Sequence, residues 1–261
     1  MNADPQPGPS LLERIDLALA SELVTGVGNG EPLAVAQRVF DGVRLPAPGD
    51  ATFLASLLRL RGFVVTDEDA NSVIGGGPAR LSPLAQEYRL IRGLHECLRQ
   101  VRVRASAGRP PDGWFLVDLW RTMTAELPRF RNNELRRGPP WDAVLYINYP
   151  GSEELRHLLD TFDSARHYRD QPAVFAPQHP VRQGFRLMWR FARIAPFPDF
   201  NLVIAWLAMN AWLQTKGYPL LVADHGDQAL LAKLVGGPPP TKIVQFEARL
   251  LDAIGGHKNA G

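Results

Sequence analysis

The sequence predicts a mainly α-helical fold built around one buried helix, with a small β-strand arm. The main observation is a stretch of 12 residues, 202–213, that is apolar except for Asn210. A helix that is apolar around its whole circumference must be enclosed by protein or by lipid. Since 12 residues are too few to span a bilayer, we expect protein to enclose it. Apolar residues at helical spacing recur elsewhere, and only one short segment is rich in strand formers.

Helical spacing, capping residues and breakers place the other elements in chain order. Helices are expected at about 10–24, 32–43, 51–60, 84–102, 114–125, 152–167, 182–194, 227–234 and 241–254. A short strand is favoured within residues 62–74. The strand arm is expected at Val144, Leu145, Tyr146 and Ile147, which are strand formers. We expect a disordered lead at 1–9, one domain at 10–254 and a frayed tail at 255–261.

Composition excludes several classes of protein. An apolar fraction of 45% and a charged fraction of 21% are typical of a soluble globular chain. A net charge of +2 across 261 residues gives no field that would attract nucleic acid or an anionic membrane, so we expect neither as a partner. Cys97 is the one cysteine, which excludes an internal disulfide and a multi-cysteine zinc site and favours the reducing cytoplasm. No metal or cofactor is expected.

The loop that precedes the apolar helix is the natural place for a site. It contains prolines and leads directly into the helix, whose first turn Asp199 or Asn201 can cap. Gly217 followed by Pro219 is expected to end the helix. Free N–H groups and the helix dipole point into such a loop, which makes it a potential anion site.

This loop resembles the signature of the Fic (Fido) family, H-P-F-x-D-G-N-G-R-x-x-R, which is often followed by G-Y-P. The residues that stand at the family's positions are Pro196, Phe197, Asp199, Asn201, Gly217, Tyr218 and Pro219. The resemblance implies a helical Fic domain whose strand arm, or flap, lies over the site. Fic enzymes move AMP from ATP onto a hydroxyl group of a target protein, and their flap holds the target as an added strand.

The residues that carry the family's chemistry are replaced. Ala195 stands in place of the histidine base, Phe200 and Leu202 in place of the two glycines, and Val203 and Trp206 in place of the two arginines. Loss of a positioned base alone costs roughly two to four powers of ten in rate. We therefore expect that ATP-dependent adenylylation has been lost.

The N-terminal helix resembles the inhibitory helix S-x-x-x-E-G of some Fic proteins, over residues 21–26. In that group the glutamate pairs with the second arginine of the motif. Here Thr25 stands at the glutamate position and Trp206 at its arginine partner, so both ends of the ion pair are replaced.

Two interpretations of the altered site remain open. In one, the large side chains fill the old pocket and the chain binds a protein partner or a small ligand; in the other, they line a pocket for a small, partly apolar metabolite on which a repurposed enzyme acts. We favour the first. The predicted ligand-binding residues are Pro196, Phe197, Asp199, Phe200, Asn201, Leu202 and Trp206. Asp199 and His179 are the candidate catalytic groups, Val144–Ile147 is the candidate partner-binding flap, and the basic segment 129–137 is expected to be a solvated loop.

Overall fold

The structure, a computed structural model, describes residues 49–76, 78, 80–131, 134–143, 148–162, 180–218 and 220–223. Within these ranges it is helical, with no strand, which confirms the predicted mainly α class. The helices are α1 (Asp50–Leu60), α2 (Asp67–Ile74), α3 (Gln86–Ser106), α4 (Gly113–Thr124), α5 (Leu155–Asp160), α6 (Pro180–Ile194) and α7 (Asn201–Thr215), with a short 3-10 helix at Pro128–Phe130. The flap (residues 144–147), His179 and the N-terminal helix lie outside the described residues.

Helix α7 lies at the centre of the described fold. It packs against α1, α3, α4 and α6, and every residue from 203 to 213 is buried. Asn210, the polar residue in the apolar run, donates its side-chain amide to the carbonyl of Trp206 and accepts the N–H of Leu221 at 2.7 Å. It thereby fixes the segment that follows the helix while remaining hydrogen-bonded, as a buried amide requires.

The end of α7 agrees with the expectation for Gly217. Gly217 adopts a left-handed φ of 76°. Its N–H bonds to the carbonyl of Gln214, and the N–H of Tyr218 bonds to the carbonyl of Leu213 at 3.0 Å. These two bonds form a Schellman motif, which satisfies carbonyls that the helix end leaves free. Pro219 lies outside the described residues.

The short strand expected within residues 62–74 is wrong, because α2 occupies the second half of that stretch. The side chain of Thr66 accepts the N–H of Asp69, and the Asp69 carboxylate accepts the N–H of Thr66 at 3.0 Å. This reciprocal capping box satisfies two free donors at the helix start. The strand formers at residues 63–65 precede the cap and misled the sequence prediction.

Helices α3 and α4 pack closely against each other. Gly93 faces the backbone of Met123, and a Cβ at this position would lie only 2.5 Å from the Met123 carbonyl oxygen. The buried thiol of Cys97 donates to the carbonyl of Leu119 on the same helix pair. No helix in the part of the chain that the structure describes is long and apolar enough to cross a membrane.

Candidate functional site

The loop between α6 and α7 contains two left-handed residues that are not glycine. Ala195 has a φ of 42° and Phe200 a φ of 67°. The side chain of Asn201 reinforces the loop from within, since it accepts the N–H of Phe197 and donates to the Phe197 carbonyl, both at 2.9 Å. A left-handed conformation costs an ordinary residue about 1–2 kcal/mol, so the surrounding packing must hold it.

Asp199 is almost wholly buried beneath two arginines. Its carboxylate accepts Nε of Arg61 at 2.6 Å and Nη2 of Arg61 at 3.3 Å, and Arg129 lies at 3.5 Å. It also accepts the N–H of Phe200 at 2.7 Å, while its carbonyl accepts the indole N–H of Trp120. Both oxygens are therefore engaged by the chain's own donors.

The cap of α7 comes from a distant residue, which corrects the prediction that Asp199 or Asn201 caps it. One oxygen of Asp142 accepts the backbone N–H of Asn201 at 2.6 Å, and the other accepts its side-chain amide at 2.7 Å. The N-cap residue itself, Phe200, provides no side-chain hydrogen bond. A carboxylate of this chain thus occupies the position at a helix N-terminus that favours an anion.

Burial raises the pKa of Asp142, and the nearby charge of Asp199 raises it further, against the hydrogen bonds from Asn201 that lower it. The folded state therefore takes up a proton at a pH at which Asp142 would still be ionised in the unfolded chain. As the pH falls through the raised pKa of the folded state towards the unfolded pKa of 3.8, Asp142 adds to the stability of the fold. That contribution is lost again as the pH rises.

Replacing Asp142 with asparagine removes this titration and one of the two acceptors. At pH 7 we expect a loss of about 1 kcal/mol, typical of a removed cap. As the pH falls from 7 to 4, the wild type gains stability that Asp142→Asn cannot gain, so the difference in unfolding free energy between the two proteins should widen. Urea denaturation at several pH values measures this difference. Other carboxylates, such as Asp50 with its pKa lowered by Arg102, titrate in both proteins and cancel. A gap that narrows towards pH 4 would contradict the assignment.

Aromatic rings fill the space around the loop. The ring of Phe200 stacks on Phe63 with centroids 6.2 Å apart and meets the edge of Phe130 at 5.9 Å. The ring of Phe197 stacks on Trp120 at 4.9 Å. Both phenylalanines are fully buried. Aromatic pairs of this kind add stability beyond the area that they bury.

The predicted ligand-binding residues are brought together only in part. Phe197, Asp199, Phe200 and Asn201 form one hydrogen-bonded and aromatic cluster. Pro196 is buried and its carbonyl accepts the N–H of Arg136, whereas Leu202 is partly exposed. The indole of Trp206 is buried and donates to the carbonyl of Leu221. Asp199, one candidate catalytic group, is ion-paired; His179, the other, lies outside the described residues.

The basic segment is a solvated loop only in part: Arg129, Arg131 and Arg137 are exposed, as the sequence predicts, but Arg136 is buried. Its guanidinium donates to four backbone carbonyls, those of Ala195 at 2.6 Å, Pro150 at 2.7 Å, Gly138 at 3.1 Å and Ile194 at 3.3 Å. Burial lowers the pKa of Arg136. This side chain fastens the segment before the flap to the end of α6. Arg61, Arg136 and Asp142 were missed because nothing in the local sequence marks them.

The carboxylates of the site are not available to a metal ion. Within the described ranges, no group of three histidine, cysteine, aspartate or glutamate side chains could hold one. Asp199 is saturated by Arg61 and by an amide, and Asp142 is saturated by Asn201. A divalent cation would have to displace these donors from both carboxylates.

Comparison of the whole fold with solved structures gives several strong matches. A Fic domain containing signaling protein from Bacteroides thetaiotaomicron matches with a TM-score of 0.64 over 93% of this chain and 98% of that one, at 19% identity. The chain has the Fic fold. Fic-1 from C. elegans matches this Fic-fold chain with a TM-score of 0.61 over 94% of it and 76% of the other, at 14% identity.

A Fic family protein from Desulfovibrio desulfuricans G20 is also similar, with a TM-score of 0.57, 15% identity and coverage of 97% of this chain and 76% of that one. No protein-family model matches the sequence, and no curated protein matches it. The structural similarity confirms the predicted Fic fold.

Proposed function

We propose that this Fic-fold chain has lost adenylyl transfer and acts by binding a protein partner. The observation that carries the proposal is the occupation of the loop by the chain's own side chains. Asp142 holds the N-terminus of α7, and Arg61 neutralises Asp199. Because its own side chains occupy this loop, we expect the protein to bind a partner at the surface around the loop rather than to catalyse a reaction inside it.

The base that AMP transfer needs is missing at its usual position. Ala195 carries a buried methyl group that cannot accept a proton, and its carbonyl is already bound by Arg136. Val203, at the position of the first arginine of the motif, is buried in the core. At these two motif positions no side chain is left to act as a general base or to clamp the phosphates.

The N-terminus of α7 is also closed to a polyphosphate. Asp142 already occupies it by accepting the backbone N–H and the side-chain amide of Asn201. A phosphate at this position would have to displace Asp142, which would leave a buried carboxylate without those hydrogen bonds.

The rival proposal is a repurposed enzyme that acts on a small, partly apolar metabolite. It requires Phe197 and Phe200 to line an open pocket. Their complete burial in ring contacts with Trp120, Phe63 and Phe130 favours the binding role instead. We place this role in the cytoplasm, because the single cysteine, Cys97, suits a reducing compartment.

Incubation with magnesium and ATP tests the loss of adenylyl transfer. A ligand at 100 times its dissociation constant stabilises a protein by about 2.7 kcal/mol, which shifts a melting temperature by several degrees. We expect millimolar ATP to produce no shift and α-labelled ATP to leave no label on this chain or on added proteins. An active Fic enzyme assayed in parallel provides the positive control.

We also expect Ala195→His to remain inactive, since the cap and the buried rings remain.

Either a nucleotide-dependent shift in melting or a transferred label would overturn the proposed loss of activity. A label that appears only in Ala195→His would show that the rest of the site is intact. That result would contradict the role that we assign to Asp142 and Phe200.

A further inference from the structure

Arg129 is held at the surface of the motif loop by three aromatic rings. The centre of its guanidinium lies 4.7 Å from the ring of Phe130, 5.8 Å from that of Trp141 and 5.9 Å from that of Phe200. The side chain is 44% exposed. Stacking on rings orients a guanidinium and reduces the entropy lost when it pairs with a ligand.

Most of the hydrogen-bonding capacity of Arg129 is unused. Within the part of the chain that the structure describes, its one side-chain partner is Asp199 at 3.5 Å. Asp199 is already bound by Arg61 at 2.6 Å, so two guanidinium groups share one buried carboxylate. A guanidinium has five donors in a planar fork. Arg129 therefore keeps most of its N–H donors without a side-chain acceptor among the described residues, on a side chain that is 44% exposed.

An exposed aromatic side chain lies beside this fork. The ring of Trp141 is 57% exposed and lies 5.7 Å from that of Phe130. The backbone N–H of Trp141 donates to the carbonyl of Pro198 at 2.7 Å, which ties this residue to the motif loop. Large exposed aromatics next to arginines are the residues that dominate the energy of protein interfaces.

We propose that Arg129 and Trp141 form a docking surface for an acidic segment of a partner protein. A carboxylate side chain of the partner pairs with the fork of Arg129, and an apolar or aromatic neighbour covers Trp141. The proposal rests on the binding role proposed above and names the chemistry of the partner. A bidentate carboxylate is the group that a planar guanidinium fork fits best among protein side chains.

The surroundings strengthen the preference for an acidic partner. Arg131 and Arg137, in the same segment, are exposed, and neither forms an ion pair within the described residues. The carboxylates of this region are already engaged, because Asp199 is buried under arginines, Asp142 holds Asn201, and Glu134 pairs with Arg121 at 2.8 Å. A positive patch of this kind steers acidic partners and rejects basic ones. The net charge of only +2 does not favour nucleic acid.

Fluorescence anisotropy with defined peptides tests the surface. The probe is a labelled peptide in which glutamates flank one tryptophan, and the matched peptide has glutamine in place of every glutamate. We expect the glutamine peptide to bind roughly tenfold more weakly or worse, and Arg129→Ala or Trp141→Ala to weaken binding of the acidic peptide by a similar factor.

The matched control is Arg156→Ala, which removes the same charge from an exposed position on α5. It should bind the acidic peptide like the wild type. Unchanged melting temperatures for the Arg129 and Trp141 variants will show that they fold. Equal binding of the two peptides, or an equal loss in Arg156→Ala, would overturn the proposal.

A third peptide, with phosphoserine in place of one glutamate, separates carboxylate from phosphate recognition. Much tighter binding of the phosphopeptide would overturn the assignment to a carboxylate. These outcomes are independent of the ATP experiment. Adenylyl transfer would overturn the proposed loss of activity whatever the peptides do, and failure of the peptides would leave that loss untouched.

Discussion

Replacing Phe200 with alanine is expected to lower the free energy of unfolding by about 3–5 kcal/mol, as for other fully buried phenylalanines. The ring is completely enclosed and contacts Phe63 and Phe130. Its removal leaves a cavity at the start of α7. The alanine variant would also keep the strain, because residue 200 has a φ of 67°.

Glycine at position 200 should cost less than alanine, although it removes one more carbon. Glycine adopts a left-handed φ without strain, which restores about 1 kcal/mol. Phe197 provides the matched control, since it is as fully buried but has no positive φ. There the usual order applies, and Phe197→Gly should be less stable than Phe197→Ala by about 0.4–1 kcal/mol.

Urea denaturation of the four variants measures both differences. The expected result is a reversal of the order of glycine and alanine between positions 200 and 197. If the alanine variant is more stable than the glycine variant at both positions, that result would contradict the left-handed conformation of Phe200. If Phe200→Ala costs less than 1 kcal/mol, the ring does not fill the loop and an open pocket would have to be reconsidered.

Replacing Arg136 with alanine is expected to cost about 3 kcal/mol or more. The change removes the donors from four carbonyls, of which those of Ile194 and Ala195 are buried at the end of α6. A buried carbonyl left without a partner costs about 1–3 kcal/mol, and hydrogen bonds from a charged donor are among the stronger ones. Since no carboxylate among the described residues pairs with Arg136, we expect the loss to change little with salt.

Arg137→Ala is the matched control, because its exposed side chain is adjacent in sequence and carries the same charge. It should change stability by less than about 0.5 kcal/mol. Arg136→Lys should be intermediate, since an ammonium lacks the planar fork that reaches several carbonyls. Equal effects of Arg136→Ala and Arg137→Ala in chemical denaturation would contradict the buried role of Arg136.

Local sequence determines the centre of this protein. The run 202–213 is apolar except for Asn210, which predicts a buried helix, and Gly217 marks its end by the backbone freedom that a left-handed turn requires. The resemblance of Pro196, Phe197, Asp199 and Asn201 to the Fic signature predicted the Fic fold that the structural comparisons support. These features repeat or follow one another within a few residues, and periodicity and spacing detect them.

Only the tertiary structure decided what the loop contains. Arg61 and Asp199 are 138 positions apart, and Asp142 and Asn201 are 59 apart. Arg136 looked like one basic residue among several until the fold placed it against the carbonyls of residues 194 and 195. Such contacts arise when separate helices pack, and no local pattern records which distant side chain will meet which. Sequence alone therefore determined the buried helix and its loop, whereas folding decided that the chain's own charges and rings occupy that loop.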